Sequence, residues 1–304
     1  MKDVFARVID EIGSVFVGNR QQVELALACL LADGHLLLED LPGLGKTTLA
    51  RTLAQVLRLD HDRVQFTADL LPSDILGMSI FNRQEEQFSF QPGPVFTQVL
   101  LADEVNRATP RTQSALLEAM SEAQVTIDGM TRPLPTPFFV IATQNPANQS
   151  GTYPLPESQL DRFLMKLSLG YPDPEAERAL LQRGAEKVAE AAVPEGWLME
   201  TREAVQSCYM SDSVLDYLQR LIAYTRESAE FRVGLSPRGG MALASAARAV
   251  AVMAGRDHVI PEDIQRVFAP VAGHRVQAAT GASGDARALV AGITTQIDSI
   301  SHTA

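Results

Sequence analysis

Through about residue 170, apolar residues fall into short runs, and between those runs they recur every third or fourth position. That pattern predicts strands alternating with helices. The runs Leu36 to Glu39, Arg63 to Thr67, Val99 to Ala102, Phe138 to Thr143 and Leu164 to Ser168 read as five strands. They are short and mostly apolar, as strands buried on both faces of a parallel sheet must be, so the chain predicts an α/β domain with helices on both sides. Two inserts break the alternation. Met78 to Phe81 and Gln87 to Phe90 flank the polar tip Arg83 to Glu86, and Gln124 to Ile127 and Met130 to Leu134 flank Asp128-Gly129, a dipeptide suited to a type I′ hairpin turn. Val125 and Ile127 share one face, and Phe88 and Phe90 another, so each hairpin has an apolar side to bury internally or against a partner.

After Gly170-Tyr171-Pro172-Asp173-Pro174 only the helical period remains, which divides the chain into residues 1–170 and 171–304. Ser211 to Glu227 carries an apolar stripe at Val214, Leu215, Leu218, Leu221 and Ile222. Ser236 precedes Pro237 as a cap before a helix-starting proline, Gly255 closes that helix, and another begins at Pro261. The last 30 or so residues, with Gly281-Ala282-Ser283-Gly284, read as a loosely attached helix and tail.

Composition narrows the class. With 46% hydrophobic and 21% charged residues over 304 positions, the chain has enough apolar material for substantial cores. No apolar run approaches the roughly 18 residues that span a bilayer, and the N-terminal amphipathic helix lacks a signal-peptide core, so no direct membrane insertion and a cytoplasmic location are expected. Cys29 and Cys208 sit in apolar helical stretches far apart in sequence and read as buried thiols. A net charge of −11 opposes general attraction to nucleic-acid backbones, though not a local basic groove.

The chemistry begins where the first strand ends. LLLEDLPGLGKTT, Leu36 to Thr48, runs from a strand through a glycine-bearing loop into a helix at Lys46. In the loop Pro42-Gly43-Leu44-Gly45-Lys46-Thr47-Thr48, the backbone N–H groups after Pro42, together with the helix dipole, suit a phosphate, Lys46 its outer oxygens and Thr47 a Mg²⁺ ion. Asp40 stands where the strict motif has its first glycine, leaving Pro42-Gly43 to make the turn. A strand-to-helix turn with a solvated lysine is the plainer alternative. Val99 to Glu104 is an apolar strand ending in two carboxylates, placing Asp103 to hold Mg²⁺ and Glu104 to activate water beside that loop, or else forming an acidic turn before the helix near Pro110. Asn145, after the strand Phe138 to Thr143, reaches the same edge and could bond the water or the outer phosphate, or simply make a turn before Pro146.

Taken together, LLLEDLPGLGKTTLA, RVQFTADLLPSDILG, FQPGPVF, LLADEVNRATPRTQSALLEAM, VIATQNPANQSGTYPLPESQLDRF and GLSPRGG follow one order and cover most of positions 17 to 250. In this the chain resembles AAA+ ATPases of the MoxR family, which are similar to the magnesium chelatase I subunit. The resemblance implies an AAA+ P-loop core with a five-stranded parallel sheet, two hairpin inserts and a C-terminal all-α lid. It assigns Val17-Gly18 to adenine, Asn145 to sensor 1, Arg162 to the arginine finger supplied to a neighbouring subunit, and Arg238 to sensor 2 of the lid. The hairpins match the helix-2 insert and the pre-sensor-1 hairpin, which in this clade can face a ring pore. Read without the resemblance, Arg162 could be a surface ion pair with Asp161. Arg238, one residue into a helix, would sit against the dipole unless an anion lay nearby.

The expected activity is Mg²⁺-dependent ATP hydrolysis in a homo-oligomeric, hexameric ring that remodels or matures a client protein, alongside a von Willebrand factor A domain protein in many relatives of this kind. Two other classes remain open: a nucleotide-gated scaffold with little turnover, and a nucleic-acid motor, which the acidic balance disfavours.

Overall fold

The computed structural model describes residues 2–41, 43–84, 86–145, 151–182, 188–279 and 286–297. Pro42, Glu85, Pro146 and the Gly281–Gly284 stretch lie outside them. Helices α1 (Lys2–Val15) and α2 (Arg20–Leu31) precede strand β1 (His35–Glu39), and α3 (Lys46–Val56) follows it. Strand β2 (His61–Gln65) leads through the short α4 (Pro72–Leu76) into the hairpin β3 (Gly77–Asn82) and β4 (Gln87–Pro92). Strand β5 (Val99–Asp103), a 3-10 turn (Val105–Arg107) and α5 (Pro110–Glu122) come next, then the hairpin β6 (Gln124–Ile127) and β7 (Met130–Pro133). Strand β8 (Phe139–Gln144), α6 (Glu157–Leu160) and β9 (Phe163–Leu167) complete this part. Beyond it lie α7 (Pro174–Gln182), α8 (Trp197–Ser207), α9 (Asp212–Glu227), β10 (Phe231–Val233), α10 (Pro237–Met253), α11 (Pro261–Ala272), β11 (Gln277–Ala278) and α12 (Ala286–Gln296).

The five long-range strands pair in parallel in the order β2-β5-β8-β1-β9. Their period of two sorts side chains onto two cores. Leu36, Leu38, Leu101, Ile141, Met165 and Leu167 join α1 to α3 and the C-terminal helices in one apolar cluster. Leu37, Leu100, Ala102, Val140 and Ala142 face the other way, against α5. The first cluster runs unbroken from sheet to lid, so the lid is docked by hydrophobic burial rather than hung from a linker. Helix α1 contributes to that docking, burying Phe5, Val8, Ile9, Ile12 and Val15, with Phe5 edge-on to Trp197 of α8 at 5.1 Å.

Three sequence expectations are adjusted. The second strand begins two residues before the predicted Arg63, because its ladder with β5 runs from His61↔Val99 to Gln65↔Asp103. As an edge strand it buries only Val64, so apolarity does not mark its start. The lid helices are accompanied by a short antiparallel pair, Phe231↔Ala278 and Val233↔Gln277, too brief for periodicity to reveal. Of the first hairpin's aromatics, Phe90 packs edge-on to Phe96 and lies under the Arg132 guanidinium of β7, whereas Phe88 is 72% exposed and touches Phe81. In the second hairpin Asp128 and Gly129 both take positive φ (52° and 74°), as a type I′ turn requires. Ser236 caps α10 by accepting from the Gly239 N–H, and Gly255 at φ 80° follows that helix. Cys29 and Cys208 are free and buried, and burial pushes the Cys29 thiol well up. Among the described residues no helix is long and apolar enough to cross a membrane.

Candidate active site

In a parallel sheet the carboxyl ends of the strands form the ligand edge. There the loop after β1 turns through Gly43 and Gly45, at φ 87° and 80°, left-handed conformations that a side chain would strain. Gly45 caps α3, whose first intrahelical bond joins the Leu49 N–H to the Gly45 carbonyl. The N–H groups of Lys46, Thr47 and Thr48 therefore precede the helical ladder at its positive end, a cradle suited to phosphate. Leu44, Thr47 and Thr48 are half-buried, and Lys46 is buried. Its Nζ donates to the Asp40 carbonyl at 2.8 Å, so the lysine is folded back along its own loop. Burial lowers the Lys46 pKa, while Asp40, Asp103 and Glu104 act in the opposite sense.

Asp40 does not face this cradle. Its carboxylate accepts from the Ser168 hydroxyl at 2.7 Å and from the Leu169 N–H at 2.6 Å, fastening the loop to the segment that leaves β9. Val17 and Gly18 border a cavity of about 430 Å³ that Phe16, Ile9 and Val23 also line. A Cβ placed on Gly18 would lie 2.4 Å from the Phe16 ring, and one on Gly45 3.0 Å from it. Phe16 thus joins this cavity to the phosphate loop.

The acidic pair stands at the end of β5 in a closed hydrogen-bond network. Thr143 of β8 donates its hydroxyl to Asp103 Oδ1 at 2.6 Å and accepts the Glu104 N–H at 2.8 Å. Arg63 donates to Asp103 Oδ2 at 2.7 Å. Glu104 sits at φ 57°, ψ 49°, which turns its carboxylate off the strand line. Asn145 Nδ2 donates to Glu104 Oε1 at 3.0 Å, while Gln65 Nε2 and Arg107 Nε hold Oε2 at 3.0 and 2.8 Å. Asn145 Oδ1 is buried with no partner among the described residues. The donor set fits Mg²⁺: a carboxylate and a hydroxyl, Asp103 and Thr47, are hard oxygen ligands, and the described residues hold no cluster of three or more His, Cys, Asp or Glu that would favour an all-protein metal cage.

Arg162 and Arg238 are not in this cluster. Arg162 immediately precedes Phe163, whose register partner is His35 at the start of β1, whereas the phosphate loop follows the end of β1. At about 3.3 Å per residue the strand separates them by roughly 15 Å. Arg162 Nη1 donates to the Leu117 carbonyl at 2.8 Å and contacts the Ser121 hydroxyl. Arg238 is half exposed, with Nε 4.0 Å from Asp161 Oδ2. Both line one cavity of about 590 Å³, with Asp161, Arg275 and Arg202.

Sequence reasoning missed Gln65, Arg63, Arg107 and Thr143 around the acidic pair. Thr143 carries a usable signal, since a threonine inside a fully buried strand needs a partner for its hydroxyl. The other three lie on an edge strand or an exposed turn, where polarity signals nothing.

Residues 35–165 match the AAA family described as "ATPase family associated with various cellular activities", and residues 223–293 match the AAA lid domain. The chain is 46% identical over 278 residues to the uncharacterized protein YeaC of Bacillus subtilis, covering 90% of this chain and 87% of that one. It is 42% identical over 281 residues to the chaperone MoxR1 of Mycobacterium tuberculosis, covering 89% and 74%. A crystal structure of a provisionally named ATPase from Cytophaga hutchinsonii superposes with a TM-score of 0.89 at 38% identity, covering 98% of this chain and 95% of that one.

Proposed function

The chain belongs to the MoxR family of AAA+ ATPases, and from that premise we propose that it hydrolyses ATP to ADP and phosphate at sites shared between neighbouring subunits of a ring. The observation that carries this reading is the division of the chemistry between two edges of the sheet. Lys46, Thr47, Asp103, Glu104 and Asn145 gather at the carboxyl edge, while Arg162 and Arg238 stand together at the opposite edge, out of reach of their own chain's phosphate loop.

ATP enters with its phosphates on the N–H groups of residues 43–48 and its base toward the cavity beside Val17 and Gly18. Lys46 exchanges the Asp40 carbonyl for the outer phosphate oxygens. Asp103 and the Thr47 hydroxyl would hold Mg²⁺, which when bound neutralises charge on the phosphates. Glu104 takes a proton from a water, whose oxygen bonds to the γ-phosphorus as the bond to the β-phosphate oxygen breaks. The unpartnered Asn145 Oδ1 can accept from that water while its Nδ2 steadies Glu104. A neighbour's Arg162, with Arg238 beside it, offers planar donors to the charge spread over the transferring oxygens. A heterologous interface whose rotation closes makes a ring, and six subunits is the number we propose on the resemblance to the family.

Nucleotide-driven rearrangement would remodel a client protein, a chaperone-like role supported by likeness to the protein named chaperone MoxR1; a von Willebrand factor A domain protein is the partner class that the family resemblance suggests. The net charge of −11 favours a protein client over a nucleic acid, and the site of action we propose is the cytoplasm. The test is steady-state phosphate release with excess Mg²⁺. The wild type turns over, and Glu104→Gln binds ATP normally but loses about 10²-fold or more in rate. ATP binding without release by the wild type would replace this reading with the nucleotide-gated scaffold.

A further inference from the structure

Arg275, in the turn after α11, is a lid residue whose side chain is 3% exposed, and its contacts crowd onto one short stretch of the core. Nε donates to Asp161 Oδ1 at 2.7 Å. Nη2 donates to the Asp161 carbonyl at 3.0 Å and to the Phe163 carbonyl at 2.6 Å. Nη1 donates to the Leu164 carbonyl at 3.0 Å and to the Val271 carbonyl of the preceding helix α11 at 2.6 Å. The fork thus grips the backbone on both sides of Arg162 and leaves Arg162 itself untouched. On the far side, α5 receives the Arg162 guanidinium through the Leu117 carbonyl and the Ser121 hydroxyl. The other carboxylate oxygen of Asp161 faces Arg238 Nε.

From this geometry we propose that Arg275 is a positioning residue for the arginine finger, the lid part that fixes the launch point of Arg162 and, through Asp161, the bearing of Arg238. The inference rests on the reading of Arg162 as a finger acting on a neighbour. A planar guanidinium has five donors in fixed directions, so it can fasten a carboxylate and four carbonyls at once, which an ammonium on a flexible stem does not do. Burying a cation this deeply is costly unless it is paired and fully bonded, and the Asp161 carboxylate with four carbonyl contacts meets that condition. Any shift of the lid therefore moves the backbone that carries the finger.

The test is a set of mixed rings, because a finger defect belongs to the subunit that donates it and not to the subunit that holds ATP. Arg275→Lys keeps the charge and loses the fork. It should bind ATP within about twofold of wild type while its turnover falls about 10²-fold, the scale of a 1 Å misplacement of a catalytic group. Mixed with Lys46→Ala subunits, whose fingers are intact, its pockets should recover turnover. Mixed with Arg162→Ala subunits, which supply no finger, they should not. Wild-type turnover in Arg275→Lys, or a slow enzyme that Lys46→Ala subunits do not rescue, would overturn the proposal. If Arg275→Lys does not assemble, Asp161→Asn, which breaks the same ion pair without changing volume, takes its place with the same expected pattern. The underlying reading fails separately, by wild-type turnover in Arg162→Ala.

Discussion

Restoring the strict phosphate-loop glycine should damage this protein. Asp40 occupies the motif's first glycine position, but it does not appear among the described residues with positive φ, so its backbone makes no demand for glycine. Its carboxylate instead satisfies the buried Leu169 N–H at 2.6 Å and the Ser168 hydroxyl at 2.7 Å. Asp40→Gly removes both bonds. The Ser168 hydroxyl is half-buried and can recruit water, whereas the Leu169 N–H is left without a partner, a loss of about 1–3 kcal/mol. Glycine adds unfolded-state freedom worth about 0.5–1 kcal/mol. The sum is a destabilisation of about 2–4 kcal/mol, or a fall in Tm of about 3–6 °C for a chain of this size. Asp40→Asn keeps one carbonyl acceptor and should lose about 1 kcal/mol. The Lys46 contact is to the residue 40 carbonyl, which every substitution retains, so ATP affinity should change less than stability. Urea unfolding of wild type, Asp40→Gly, Asp40→Asn, Ser168→Ala and the double variants gives both the magnitudes and the coupling. Asp40→Gly within about 0.5 kcal/mol of wild type would refute the reasoning.

Other consequences can be checked on the same preparations. Thr143→Val leaves Asp103 Oδ1 and the Glu104 N–H unpaired, so it should lose about 1–3 kcal/mol in unfolding free energy and at least tenfold in turnover, with Thr143→Ser restoring both. The His35 ring accepts the Val140 N–H and bonds the Met120 carbonyl, and burial lowers its pKa to about 4. The folded state then binds fewer protons than the unfolded state between pH 6.5 and 4, so His35 contributes fully above about 6.5 and loses up to about 3 kcal/mol as pH falls to 4. The stability gap between wild type and His35→Gln should shrink across that window, and a gap independent of pH would contradict it. Polar substitution at the exposed Phe88 should leave unfolding and basal turnover nearly unchanged while impairing client-dependent effects, whereas Val125→Ser, 5% exposed, should lose about 2–4 kcal/mol by differential thermal scanning.

The parts legible in sequence are those where one residue's local demand settles its place. Central strands such as Val99–Asp103 announce themselves because both faces are buried, and Lys46, Asp103 and Glu104 are found because loop, strand end and charge coincide. The edge strand β2 is only partly legible, since a polar HDRVQ segment is stabilised by pairing with β5 rather than by burial. Tertiary docking hides the rest. Nothing local to Arg238 tells whether the lid carries it to its own phosphate loop or to Asp161 at the other edge of the sheet. Arg275 is 114 positions from Asp161 in sequence, and its role exists only once α11 packs on β9. Asp40 reads as a departure from a motif until residues 168–170 are brought beside it.

The most direct test of a split active site mixes Lys46→Ala subunits, which have a finger but no working pocket, with Arg162→Ala subunits, which have a pocket but no finger. Each variant alone should hydrolyse ATP at least about 10³-fold more slowly than wild type. Random assembly at equal amounts sets an intact pocket beside an intact Arg162 at about one interface in four, so the mixture should recover turnover far above the sum of its parts. Mixed rings, verified by mass, that stay as inactive as either variant would contradict it.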